Sequence, residues 1–322
     1  MKGRFLDQIR IMLGRAPAKP EVVSEAAREI HQMKRMTKAD FEAMKQHVRD
    51  HQLEKHTWRN RRWAVLIFAN LLFTFSFWLD IQMLEGALTA SRFVGFHLID
   101  LNSALQVMLA HKHIIVNLFI GTATVFLLWV MLGGRTFCSW VCPYHLVAEL
   151  FEALHLKLVD RKWVSDHSFH RGARTVFWVI FSLLAVVTGY TVFETLSPTS
   201  ILSRALIYGP SLALGWVALL LVFEVVYSRR AWCRYVCPIG LTYGMVGTIS
   251  PVRVVYDLRQ CFHEGDCRKV CLVPHVLDMV IKGRSPEVKV PVGPDCTRCG
   301  LCVDTCPSGA LKFEVKGLNE LL

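Results

Sequence analysis

Four long apolar runs dominate the chain, at 63–79, 114–132, 175–193 and 208–227. Each approaches the ~20 residues that an α-helix needs to cross a bilayer. Cations gather on one side of these runs. Arg59, Arg61 and Arg62 precede the first, and Arg135, Lys157, Arg161, Lys162, Arg171 and Arg174 lie between the second and third. Arg229, Arg230 and Arg234 follow the fourth, whereas the segments 80–113 and 194–207 hold only Arg92, Lys112 and Arg204 as strong cations. Under the positive-inside rule, this pattern predicts an α-helical membrane protein. Its four transmembrane helices would be paired as two hairpins in parallel repeat. The expected location is the bacterial inner (cytoplasmic) membrane, multi-pass, with both termini cytoplasmic.

Outside the runs the pattern changes. Residues 1–62 read as a charged N-terminal arm with no cleavable leader. A basic amphipathic stretch carrying Phe5, Leu6, Ile9, Met12 and Leu13 opens it, either lying on a lipid surface or fraying. A polar helix follows, with Thr37 and Asp40 as a capping box; a solvated helix is the economical reading, and the arm shows no chemistry. Apolar residues at 146, 147, 150, 151, 154 and 158 predict a surface-lying amphipathic helix, and 100–109 a shorter one. From 251 the composition becomes that of a soluble module, with short strands expected at 252–256 and 311–315. The division is thus 1–62 arm, 63–250 membrane domain and 251–322 small ferredoxin-like α+β domain.

The net charge of +11 is accounted for by this topology and by contact with anionic lipid, so no nucleic-acid partner is expected. All eleven cysteines fall on the same inferred side. In a reducing compartment they are expected to be metal ligands or redox thiols rather than disulfides.

Cys296, Cys299, Cys302 and Cys306-Pro307 follow the spacing C-x2-C-x2-C-x3-C-P, the ligand run of a bacterial [4Fe–4S] ferredoxin. Two-residue gaps let one tight loop reach three corners of a cube, while the fourth cysteine serves a second cluster. An earlier run, Cys261, Cys267 and Cys271, has the same spacing except that Glu264 stands at the second ligand position and Leu272 replaces the proline. In the two-cluster arrangement, Cys271, Cys296, Cys299 and Cys302 hold one cluster, and Cys261, Cys267 and Cys306 the other. Three outcomes stay open for that second site: a Glu264 carboxylate ligand, a three-iron or labile fourth-iron cluster, or an empty site. His263 and Asp266 are alternative ligands.

A second constellation repeats. Phe137-Cys138-Ser-Trp-Val-Cys142-Pro143 follows the second run, and Trp232-Cys233-Arg-Tyr-Val-Cys237-Pro238 follows the fourth. Cys138, Cys142, Cys233 and Cys237 could meet as one four-thiolate site for a further metal or cluster, or work as two dithiol pairs; the plain alternative is small residues beside helix-ending prolines. Asn70, Asn117 and Glu224 are polar groups in or near the runs, with Glu224 expected to snorkel to water. His111 and His113 would be haem or quinone ligands only if their surroundings supported it.

These features resemble the NapH/MauN family of ferredoxin-type proteins over about residues 60–315. The stretches that carry the resemblance are 137–143, Ser197-Pro198 through Gly209, Trp232 through Gly240 with Tyr243, Gly244 and Gly247, Val270-Cys271, 274–277 and 296–304. The resemblance implies two [4Fe–4S] clusters and electron transfer between the quinol pool and a respiratory reductase or dehydrogenase system, alongside a second ferredoxin-type or cytochrome subunit. Glu264 departs from the family's cysteine, and the N-terminal arm is longer than the family needs. The rival functions are a reductase or maturation factor for a periplasmic metalloenzyme and an iron–sulfur redox sensor.

Overall fold

The computed structural model describes residues 2–34, 42, 46, 56–80, 84–93, 96–113 and 115–318. The capping box at Thr37 and Asp40 lies outside the described residues. Helices α1 (Lys2–Met12), α2 (Glu25–Met33) and α3 (Thr57–Trp78) come first. An antiparallel meander of β1 (Leu84–Ala87), β2 (Ala90–Phe93) and β3 (Phe96–Ile99) follows. Then come α4 (Leu101–His111), α5 (Val116–Leu132), α6 (Thr136–Trp140) and α7 (Pro143–Asp160). The second half repeats the plan with α8 (Ala173–Thr188), α9 (Pro198–Tyr208), α10 (Ala213–Val226), a π-helical turn at Trp232–Val236 and α11 (Ile239–Gly247). A sheet of β4 (Val252–Asp257), β5 (Lys289–Pro291) and β6 (Leu311–Val315) closes the chain, with β4 central.

The four-span expectation does not survive. Among the described residues no helix is long and apolar enough to cross a membrane. The apolar runs are cut short by their ends. Gly133 (φ 118°) and Gly189 (φ 64°) stop α5 and α8 in the left-handed conformation that suits glycine, leaving helices of 17 and 16 residues. The run at 208–227 is interrupted by Gly209-Pro210, so α10 has 14 residues. Helix α3 reaches 22 residues by including Arg59, Arg61 and Arg62. The assignment to a multi-pass inner-membrane location falls with the spans.

Two cores organise the rest. The first is aromatic and sits between the repeats: Trp129, Phe137, Tyr144, Phe181, Phe193, Trp232 and Tyr243 pack around Cys142 and Cys237. The second joins the sheet to the cysteine loops, with Val254, Tyr256, Leu258, Leu277 and Leu311 against Cys261, Cys267, Cys271 and Cys302. The strands expected at 252–256 and 311–315 are present as β4 and β6, paired antiparallel with Val254 opposite Phe313.

Where it is described, the arm packs against the rest of the molecule through a few buried residues. Ala27 of α2 is fully buried in the second core, and Met12 of α1 is 2% exposed. Arg171 and Arg174 donate to the carbonyls of Ile11 (2.6 Å) and Met12 (3.1 Å). Helix α7 coincides with the stretch expected to be amphipathic, and Val147 and Phe151 of that pattern pack against the first core. It buries Tyr144, His145, Ala148 and His155 and leaves Leu150 and Leu154 exposed. The same helix carries the partners of buried arginines, Glu149 for Arg62 and Glu152 for Arg230.

Candidate functional site

The two tail loops share a backbone. Arg298 (φ 52°) and Gly300 (φ 79°) take left-handed conformations two and four residues after Cys296. His263 (φ 61°) and Gly265 (φ 86°) do the same after Cys261. Each loop aims an amide at its first sulfur: Arg298 N–H at Cys296 Sγ (3.4 Å) and His263 N–H at Cys261 Sγ (3.3 Å). The two turns differ chemically at the second ligand position, where Glu264 corresponds to Cys299.

The loops place their cysteines in two groups. Cys271, Cys296, Cys299 and Cys302 line one cavity. Cys261, Cys267 and Cys306 form the other group, close enough that burial and then the Cys261 and Cys306 sulfurs push the Cys267 thiol up to about 12. Burial, then neighbouring sulfurs, likewise hold Cys271 and Cys302 well above the ordinary thiol value. A bare thiolate is therefore disfavoured here, and only a positive centre that takes up the charge makes four of them stable together. No three His, Cys, Asp or Glu side chains among the described residues converge as ligands of a single ion. Four cysteines lining one cavity are the donor set of an iron–sulfur cluster.

At the second group, Glu264 is partly buried with Oε1 unpartnered, and burial followed by Asp266 raises its pKa. His263 Nδ1 donates to the Val280 carbonyl at 2.8 Å, so its Nε2, buried and unpartnered, carries the lone pair. Residues of the arm reach this group. Lys34 Nζ donates to the carbonyls of Leu258, Arg259 and Cys261 (2.6–2.9 Å), and His31 stacks on His263 at 6.4 Å. Nothing in the local sequence signals these contacts, because the partners lie more than 220 residues apart.

The C-x3-C-P segments meet. Cys138, Cys142, Cys233 and Cys237 line a single cavity between the repeats, with about 880 Å³ of free space, part of it open to solvent. Burial pushes Cys142 up to about 11 and Cys237 up to about 12. Cys142 Sγ lies 3.2 Å from Thr199 Oγ1, at the start of α9. Each segment is preceded by a buried arginine three residues before its first cysteine, Arg135 and Arg230. The repeat is therefore R-x2-C-x3-C-P, which the sequence shows once the two segments are aligned three places further upstream.

Asp295 is the hub between this cavity and the intact tail loop. Its carboxylate accepts from Arg135 (2.6 Å), Arg174 (2.9 Å) and His275 (2.8 Å). Burial opposes its charge, but the two arginines and His275 hold the carboxyl well below its usual range. Helix α6 then bonds directly to the loop: Ser139 Oγ donates to the Thr297 carbonyl (2.6 Å) and Trp140 Nε1 to that of Arg298 (3.0 Å).

Other candidates separate from the site or change role. Glu224 does not snorkel. It is 2% exposed, accepts from the Trp232 amide (2.9 Å), and burial pushes it up to about 7. Asn70 bonds the Leu66 and Val141 carbonyls, a packing role. Asn117, His111 and His113 are exposed and line neither cavity.

A family model described as a 4Fe-4S binding domain matches residues 115–163 and 208–253, the two C-x3-C-P halves. A second model of the same description matches 294–312. The chain is 33% identical over 199 residues to the ferredoxin-type protein NapH of Haemophilus influenzae, covering 61% of this chain and 68% of that one. It is 31% identical over 271 residues to the methylamine utilization ferredoxin-type protein MauN of Methylorubrum extorquens, covering 82% and 91%. NapH of Escherichia coli is 29% identical over 262 residues, covering 79% and 89%. No solved structure matches the chain.

Proposed function

Because this chain belongs to the NapH/MauN family of ferredoxin-type iron–sulfur proteins, we propose that it passes single electrons between a quinol and a respiratory reductase or dehydrogenase system. The observation that carries this reading is the cavity shared by Cys271, Cys296, Cys299 and Cys302. These four would hold one [4Fe–4S] cluster. Cys261, Cys267 and Cys306 would hold the second, with Glu264 at its fourth corner. When bound, such a cluster carries one electron at a time.

The chain's own residues supply the surroundings. Amide donors at Cys296 and Cys261 lower electron density on the sulfurs, which favours the reduced form. Leu277, Leu311 and Val254 exclude water from the tail core. Lys34 and α2 cover the turn that leads to Cys261. A second ferredoxin-type or cytochrome subunit is the partner this role requires.

The reading is tested by reducing anaerobically purified protein with a quinol analogue and following cluster EPR. Appearance of a reduced-cluster signal supports it. Clusters that dithionite reduces but no quinol analogue reduces would remove the quinol from the scheme.

A further inference from the structure

The two cysteine groups of the tail are not equally accessible. The loop at Cys296 is roofed by other elements: Ser139 and Trp140 bond its carbonyls, and Trp58 lies against Gly300. Cys271, Cys299 and Cys302 are buried there. The group of Cys261, Cys267 and Cys306 lies nearer solvent. Phe262 is 44% exposed beside Cys261, and Pro307 is exposed beside the half-buried Cys306. Electron transfer weakens steeply with distance, so a partner must meet the group that reaches the surface.

The charges around this opening have one sign. Among the charged residues from 251 to 318, those that stand exposed are Arg259, Lys269, Lys282, Lys289, Lys312 and Lys316, all of them cations. Arg259 precedes Cys261 by two places and Lys269 follows Cys267 by two. Lys282 follows Val280, whose carbonyl accepts from His263 Nδ1 at 2.8 Å. Lys312 packs along Gly309 in the turn after Cys306, its Cε 3.6 Å from where a Cβ on Gly309 would lie. The acids of the same segments are half-buried or paired locally. Asp257 accepts from the Arg259 amide (2.8 Å), Glu264 is half-buried, and Asp266 pairs with Lys269 (2.8 Å). That leaves Arg259, Lys282 and Lys312 to set the sign of the face.

We propose that this face, apolar at Phe262 and Pro307 and cationic at its rim, is the docking surface for a one-electron carrier protein with an acidic face. Opposite charge draws such a carrier in and orients it, and Phe262 supplies apolar contact beside the cysteine group. The electron that leaves the cluster is gained by the carrier's own redox centre, or the reverse. No bond is made or broken and no proton moves. An anionic lipid surface would match the charge but offer no redox centre. The use of the face rests on the electron-carrier reading above.

Fluorescence anisotropy of labelled cytochrome b5, an acidic haem protein, titrated with the full chain tests the proposal. Complexes should form at about 20 mM salt and dissociate at about 300 mM. K282E/K312E should weaken binding about tenfold. K157E/K162E, the same charge change on exposed residues at the end of α7, should alter it by no more than about twofold. Equal weakening in the two variants, no binding at low salt, or binding that salt leaves unchanged would overturn the proposal. So would a K282E/K312E variant that loses affinity for phosphatidylserine vesicles alone. Haem reduction by dithionite-reduced, desalted protein reads the other premise. Cytochrome b5 that binds as described but stays oxidised would sink the electron-carrier reading and leave the docking face standing.

Discussion

Arg135 and Arg230 illustrate how little of a buried charge is visible from its neighbours in sequence. Each stands three places before a cysteine, but the carboxylates that hold them are 160 residues downstream (Asp295) and 78 residues upstream (Glu152). The cysteine spacings, by contrast, are legible at once, because ligand loops are local. Glu264 is the residue whose substitution is most informative. The loop around it has the same left-handed turns as the intact loop, so E264C should complete a four-thiolate set without backbone change. We expect wild-type protein exposed to air to show an oxidised three-iron EPR signal that E264C lacks. Asp100 gives a pH prediction. It is buried at the start of α4 with Oδ2 capping the Asn102 and Ser103 amides, and burial pushes its pKa from 3.8 to about 6. The folded state therefore binds the proton more tightly than the unfolded chain. The stability this contributes is complete below about pH 4 and is lost as pH rises through about 6. The loss is about 1.4 kcal/mol for each pH unit between the two values. D100N keeps the cap, and its denaturant midpoint should fall less than the wild type's across that window.

At the level of elements, the tail and the arm hold each other. The amides of Trp58 and Arg59 at the start of α3 donate to the Asp304 carboxylate at 2.9–3.1 Å. This is an N-terminal cap supplied from 246 residues away. D304A should cost about 1 kcal/mol, read as a lower midpoint in urea unfolding of cluster-loaded protein. Gly300 is held more strictly. A Cβ there would lie 2.5 Å from Trp58 Cβ while φ is +79°, so G300A should displace Trp58 and make the cluster at the 296–302 loop bleach faster in air. Neither contact can be read from the sequence, where the arm looks like a solvated helix. Helix α7 is found from its pattern, but its buried face holds more than the apolar stripe. Periodicity ranks hydrophobicity, whereas His145 and Glu152 are turned inward by Arg230.

Across the whole molecule, the strands β4 and β6 and the doubled C-x3-C-P plan follow from the sequence, and the four membrane spans do not. Runs of apolar residues set composition, but Gly133, Gly189 and Gly209-Pro210 set where helices end, and they end too early. What the fold adds is convergence. Two cores bring eleven cysteines into three neighbouring groups, joined through Asp295 and α6. The central claim is that the group at Cys271, Cys296, Cys299 and Cys302 holds a [4Fe–4S] cluster that carries electrons. EPR of anaerobically purified, dithionite-reduced protein, with C299S beside the wild type, tests it most directly. The account predicts a reduced-cluster signal in the wild type that C299S loses; a spectrum unchanged by C299S, or a folded wild type without iron and sulfide, would contradict it.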